Sequence, residues 1–114
     1  MEHRITREEL SPLLASARPP LLLEALPAKY FEDSHLPGAR NMPHDAVAEL
    51  APTLAPDKAT PIVVYCANAA CQNSHSAAAR LKQLGYTDAR VYAEGKQDWI
   101  GAGLPVEQGS AVAV

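Results

Sequence analysis

Three short apolar runs are spaced along the chain as a repeat of strands and helices would space them. Leu21-Leu22-Leu23-Glu24-Ala25-Leu26 is bounded by prolines and is too short for a helix. That pattern predicts a strand buried on both faces, as in parallel sheets. Pro61-Ile62-Val63-Val64-Tyr65 repeats it with better strand formers, and Arg90-Val91-Tyr92-Ala93 is a third, shorter copy. Between the last two, Ala77, Ala78, Leu81 and Leu84 recur at helical spacing within Ser74 to Leu84, and Gly85 follows as a left-handed cap. Strand, helix and strand over about thirty residues form a crossover, which requires a parallel pair and an α/β fold.

Weaker signals fill the rest. Thr6-Arg7-Glu8-Glu9 has the form of a capping box. Leu10, Leu13 and Leu14 then share a face, so a short helix over about 6–16 is expected, ended by Arg18-Pro19-Pro20. His35 to Ala39 reads as a turn leading into a strand at Arg40-Asn41-Met42. Asp45 is placed to cap a short helix over Ala46 to Leu50, followed by a loop punctuated by Pro52, Pro56 and Pro61. Lys96 to Ile100 suggests one helical turn, with Trp99 packed in the core. Residues 108–114 are expected to be loose. Neither a repeat nor a linker interrupts the chain, so one domain over 1–114, with a core of about 21–107, is expected.

Composition narrows the functions. Among 114 residues, 10 Lys and Arg face 13 Asp and Glu, a formal net charge of −3. With no basic run, neither nucleic acid nor an anionic membrane is an expected partner. Hydrophobic residues make up 47% and aromatic ones 5%, so the core must be built of Leu, Val, Ile and Ala. No apolar run approaches the roughly 18 residues of a spanning helix, and Met1-Glu2-His3-Arg4 leads into a polar segment unlike a signal peptide. Two cysteines, five positions apart, cannot frame a small secreted domain. A reducing, cytoplasmic setting is therefore expected, in which a thiol stays free.

The chemistry concentrates at Cys66, where the second run stops some eight residues before a helix starts. In open α/β sheets, ligands bind beyond the carboxyl ends of strands. The small residues Ala67, Asn68, Ala69, Ala70, Cys71, Gln72 and Asn73 could turn their peptide N–H groups inward as an anion cradle, to which the helix N-terminus adds its positive end. A thiol there gains acidity: helix N-termini lower a free-cysteine pKa of about 8.5 to roughly 3.5–7.5. The alternative is a buried structural cysteine that happens to end a strand.

An ordered set of motifs now adds to this reading. Leu22-Leu23-Glu24, Lys29-Tyr30-Phe31, Ser34-His35-Leu36-Pro37-Gly38-Ala39-Arg40-Asn41-Met42-Pro43, Val63-Val64-Tyr65-Cys66, Ala77-Ala78 with Leu84-Gly85-Tyr86, Glu94-Gly95, Trp99 and Gly103-Leu104-Pro105-Val106 occur in that order. Together they resemble the rhodanese-like family of sulfurtransferases and their relatives. The resemblance implies a central parallel sheet flanked by helices on both faces. It also implies a catalytic Cys66 that takes a sulfane sulfur from a small anionic donor such as thiosulfate and passes it to a thiophilic acceptor. No cofactor is implied. The other reading is a rhodanese-like binding module, non-enzymatic or redox-regulatory, with a degenerate loop.

The chain departs from the family pattern within that loop. Such loops typically hold six residues, with Gly and Arg inside, followed directly by Ser or Thr. Here eight residues run from Cys66 to Asn73 before Ser74, and neither Gly nor Arg is among them. Without a guanidinium to hold a dianion, phosphoryl transfer of the kind run by related phosphatases is disfavoured. Glu94-Gly95-Lys96 stands where Gly-Gly and an aromatic residue are usual, and Ser34 where glycine precedes His35. Ser74, His75 and Lys96 are candidates for the pocket wall. Lys96 is either a replacement cation near Cys66 or a solvated lysine, and His75 is either a base or merely exposed. Cys71 is either a resolving thiol that closes a disulfide on Cys66 or a small apolar filler. A zinc set of Cys66, Cys71, His75 and His35 has no recognised spacing, so no metal is expected, and the bland role for His35 is a hydrogen bond to backbone.

Overall fold

The computed structural model describes residues 2–109 of the chain. Ten elements follow in order: β1 (His3–Arg4), α1 (Arg7–Leu14), β2 (Leu21–Glu24), α2 (Ala28–Asp33), β3 (Arg40–Asn41), α3 (Val47–Leu54), β4 (Ile62–Tyr65), α4 (Asn73–Gln83), β5 (Ala89–Tyr92) and α5 (Gly95–Gly101). The strands form one parallel sheet in the order β1-β5-β4-β2-β3. Its register sets Glu24 beside Tyr65, and Tyr65 beside Tyr92, across three neighbouring strands. That row is the carboxyl edge of the sheet.

Both faces of the sheet are covered, which explains why the central strands read as unbroken apolar runs. Alternation sends Leu23, Ile62 and Val64 toward Val47 and Ala51 of α3 and Ala77 and Leu81 of α4. It sends Leu22, Val63, Tyr65 and Tyr92 toward Leu10 of α1, Phe31 of α2 and Trp99 of α5. Each fully buried Leu or Val contributes roughly 1.5–3 kcal/mol to this packing. The parallel sheet with helices on both faces is the one expected from the sequence. The crossover β4-α4-β5 lies where periodicity put it, and Gly85 carries the left-handed conformation, with φ +99°.

The capping box is present: the Glu9 N–H donates to Thr6 Oγ1, and the Thr6 N–H donates to Glu9 Oε1. Such a cap is worth about 1 kcal/mol. Asp45, by contrast, does not cap. The Ala46 N–H is drawn back onto the Pro43 carbonyl at 2.9 Å, so the helix starts one residue later, with Ala46 as an N-cap that makes no side-chain bond. This helix also runs through Pro52 to Leu54, where a loop was expected. Burial of Ala51, with Leu50 and Leu54 partly buried against the same cluster, outweighs the hydrogen bond that Pro52 cannot donate.

Two elements have little signature in the sequence. The edge strand β1 has two residues, too few to show a period, and α2 shows none of the usual capping residues, having Pro27 as its N-cap, whereas β3 at Arg40–Asn41 lies where a strand was expected. Near the C-terminus, α5 has seven residues, about two turns, where one turn was expected. The Glu107 N–H and carbonyl pair with His35 at the end of the expected core, and within the tail expected to be loose the Gly109 N–H donates to the Glu32 carbonyl at 3.2 Å. The remainder of that expectation, residues 110–114, lies outside the described residues.

Candidate functional site

Tyr65 ends β4, and Cys66 is the first residue past the sheet edge. The Ala25 N–H donates to the Tyr65 carbonyl at 2.9 Å, which carries the ladder up to the turn. From there the chain loops to α4, so the site sits at the strand's carboxyl end and the helix's positive end. Ala67, Asn68 and Asn73 are half-buried, while Ala69, Ala70 and Gln72 are exposed, so the loop faces water.

Two of the loop's amides are used internally. The Ala70 N–H donates to Asn68 Oδ1 at 3.1 Å and the Cys71 N–H to the Asn68 carbonyl at 3.2 Å. Asn68 thus closes a tight turn of the kind its side chain favours. The amides of 67, 68, 69 and 72 donate to no acceptor among the described residues. The turn brings Cys71 back over Cys66, and the two sulfurs are joined, with Cα atoms 6.2 Å apart. Cys66 is 1% exposed and Cys71 half-buried. Of the two joined cysteines, Cys71 is therefore the one nearer to water.

A second helix pins the loop from the side. The Lys96 and Gln97 N–H groups at the start of α5 donate to the Cys66 and Ala67 carbonyls at 2.9 and 2.8 Å. Gly95 makes this approach feasible. It has φ +74°, and a Cβ there would lie 2.6 Å from the Cys66 carbonyl oxygen and 2.9 Å from the Asn68 nitrogen. No residue with a side chain fits without moving the loop.

Lys96 is neither solvated nor turned toward the sulfur. It is buried, and its ammonium is committed to Glu24 Oε1 at 3.0 Å, the Tyr30 carbonyl at 3.0 Å and the Ser34 carbonyl at 2.6 Å. Three protons have three acceptors, and none remains as a replacement cation for the cradle. Glu24 is fully buried, and its Oε1 also accepts from the Tyr65 hydroxyl at 2.8 Å, which in turn accepts from the Leu36 N–H. Burial raises the Glu24 carboxyl above its ordinary range, against the pull of Tyr65 and Lys96, and Oε2 has no partner among the described residues. Burial beside Glu24 likewise raises the Tyr65 phenol and keeps it a neutral donor. Sequence reasoning missed this network. Its one legible sign was a glutamate ending an otherwise apolar strand.

The other candidates are more local. Ser74 is buried in the first turn of α4, and its hydroxyl has no partner among the described residues. His75 is half-buried, with Nδ1 2.6 Å from Glu2 Oε1, which ties α4 to the N-terminal segment. Burial would raise the Glu2 carboxyl, but His75 and Arg4 together hold it below its ordinary value. His35 donates from Nδ1 to the Phe31 carbonyl at 2.8 Å and stacks on the Phe31 ring. The four residues weighed as a zinc set thus each have another partner. Trp99 packs edge-on to Tyr92 and donates to the Pro105 carbonyl, as core.

With strand, turn and helix in this arrangement, the protein belongs to the rhodanese-like family: the model of the Rhodanese-like domain matches residues 6–102. The HTH-type transcriptional regulator Rv0324 of Mycobacterium tuberculosis is 32% identical over 111 residues, which are 97% of this chain and 47% of that protein. Among solved structures, a human single-domain sulfurtransferase, TSTD1, superposes with a TM-score of 0.75 at 26% identity, over 89% of this chain and 97% of its own. A thiosulfate sulfurtransferase from Pseudomonas aeruginosa reaches a TM-score of 0.83 at 24% identity, over 99% of this chain and 22% of its own, a likeness of fold. The chain spans less than half the length of the curated relative. No helix among the described residues is long and apolar enough to cross a membrane.

Proposed function

We propose that the chain is a rhodanese-type sulfurtransferase in which Cys66, once reduced, carries a sulfane sulfur from a small anionic donor to a thiol acceptor. One observation carries this reading. Cys66 stands at the carboxyl end of β4 under a loop whose amides at 67, 68, 69 and 72 have no other acceptor among the described residues. Peptide donors of this kind stabilise a thiolate, a persulfide anion and the charged end of a donor alike. With thiosulfate, the Cys66 thiolate attacks the outer sulfur, the sulfur–sulfur bond breaks, and sulfite leaves with the bonding pair. The persulfide then yields its outer sulfur to an acceptor thiolate, giving two displacements through a covalent intermediate. Because the loop lacks an arginine, affinity for a dianion should be low and turnover with thiosulfate slow.

The chemistry needs a reduced Cys66, which suits a reducing compartment such as the cytoplasm. Intact mass tests it. Reduced Cys71→Ser protein, in which no second thiol can discharge the adduct, should gain one sulfur atom when mixed with thiosulfate or an organic persulfide, and Cys66→Ser should gain none. Absence of gain with every donor tried sinks the proposal.

The Cys66–Cys71 pairing favours a second reading, a redox-regulatory module whose loop opens and closes with thiol status. Similarity to a transcriptional regulator fits it. The same mass test separates the two, since a purely regulatory loop takes up no sulfur.

A further inference from the structure

The acceptor thiol nearest to Cys66 lies in its own loop. A Cα separation of 6.2 Å falls within the span of roughly 4.4–6.8 Å that disulfides use. The turn that sets it is built by Asn68, which accepts from both Ala70 and Cys71. Cys71 is half-buried above a buried Cys66, so a thiol arriving from solvent meets the Cys71 side first. An attacking group held in place within one loop needs no diffusional encounter and outcompetes a dilute external thiol.

Resting on the persulfide reading above, we propose that Cys71 resolves the Cys66 persulfide, so that the reduced loop converts one sulfane sulfur into sulfide and closes as a disulfide. The Cys71 thiolate attacks Sγ of Cys66. The bond between that Sγ and the outer sulfur breaks, and the outer sulfur leaves with the electron pair as hydrosulfide. The Cys66–Cys71 bond forms in the same displacement. The outer sulfur gains two electrons, the two cysteine sulfurs lose two, and one of the protons given up by the thiols leaves on hydrosulfide. The donor's own sulfur is the oxidant. A dithiol or a thioredoxin-type reductant restores the loop, so each cycle consumes two reducing equivalents. Asn68 acts as a positioning residue for this closure.

The test is a single turnover without added thiol. Reduced, desalted protein is mixed with thiosulfate, and sulfide, free thiols and intact mass are followed together. The parent should release about one sulfide per chain as both thiols disappear, ending without extra sulfur. Cys71→Ser should keep the added sulfur and release no sulfide. Asn68→Ala should release sulfide several-fold more slowly relative to its own rate of sulfur uptake. A parent that holds its persulfide as long as Cys71→Ser does overturns the inference while leaving the transfer reading intact. If Cys71→Ser gains no sulfur, the transfer reading falls, and the inference falls with it.

Discussion

Lys96 touches Cys66 and Glu24 by different parts of itself. Its N–H donates to the Cys66 carbonyl at 2.9 Å, while its ammonium lies 3.0 Å from Glu24 Oε1 inside the core. A single residue thus joins the Cys66 loop to a buried ion pair. Through the Tyr30 and Ser34 carbonyls it also joins the loop to the end of α2.

Removing one partner of a buried pair leaves an uncompensated charge, whereas removing both can be nearly neutral. Lys96→Met should therefore lower stability by about 3–5 kcal/mol in urea unfolding. The double variant Glu24→Gln with Lys96→Met should recover much of that loss. Equal losses in the single and double variants would show that the charge pair does not set the cost.

Glu24 also fixes a sign for the pH dependence. Its folded-state carboxyl is raised above the ordinary value of 4.5, so the folded state holds that proton more tightly than the unfolded chain does. Stability from this group is then full below 4.5 and declines as pH rises toward the folded value. Glu24→Gln, which stays neutral at every pH, should lack that decline. Unfolding free energies measured from pH 4 upward, compared as slopes, check it; parallel curves would refute it.

Gly95→Ala should damage the loop more than the fold. The new Cβ meets backbone atoms of Cys66, Ala67 and Asn68, and φ +74° is unfavourable for alanine. A loss of about 1–3 kcal/mol is expected, with a several-fold change in the rate at which iodoacetamide alkylates reduced Cys66. An unchanged alkylation rate would mean that α5 does not hold the loop.

Ser74→Ala should be neutral or slightly stabilising. A buried hydroxyl without a partner gains nothing from protein contacts and has lost its water. A loss beyond about 1 kcal/mol in thermal or urea unfolding would show that the hydroxyl has an unrecognised acceptor.

Much of the architecture was legible because its signals are local. The runs at Leu21 and Ile62 and the helical spacing from Ala77 to Leu81 each record burial on a nearby surface, and the capping box closes within four residues. The same logic erred at Asp45, where a turn at Pro43 displaced the helix start by one residue and left the carboxylate without a role as a cap.

The order of residues alone determined a parallel crossover with a cysteine at the end of its first strand, because periodicity and chain punctuation act over a few residues. Tertiary structure alone decided that Lys96 serves Glu24 and not the sulfur, and that Cys71 lies upon Cys66. Such pairings depend on which groups are desolvated together, and residues distant along the chain reach a common interior only when the sheet, α2 and α5 have closed around them.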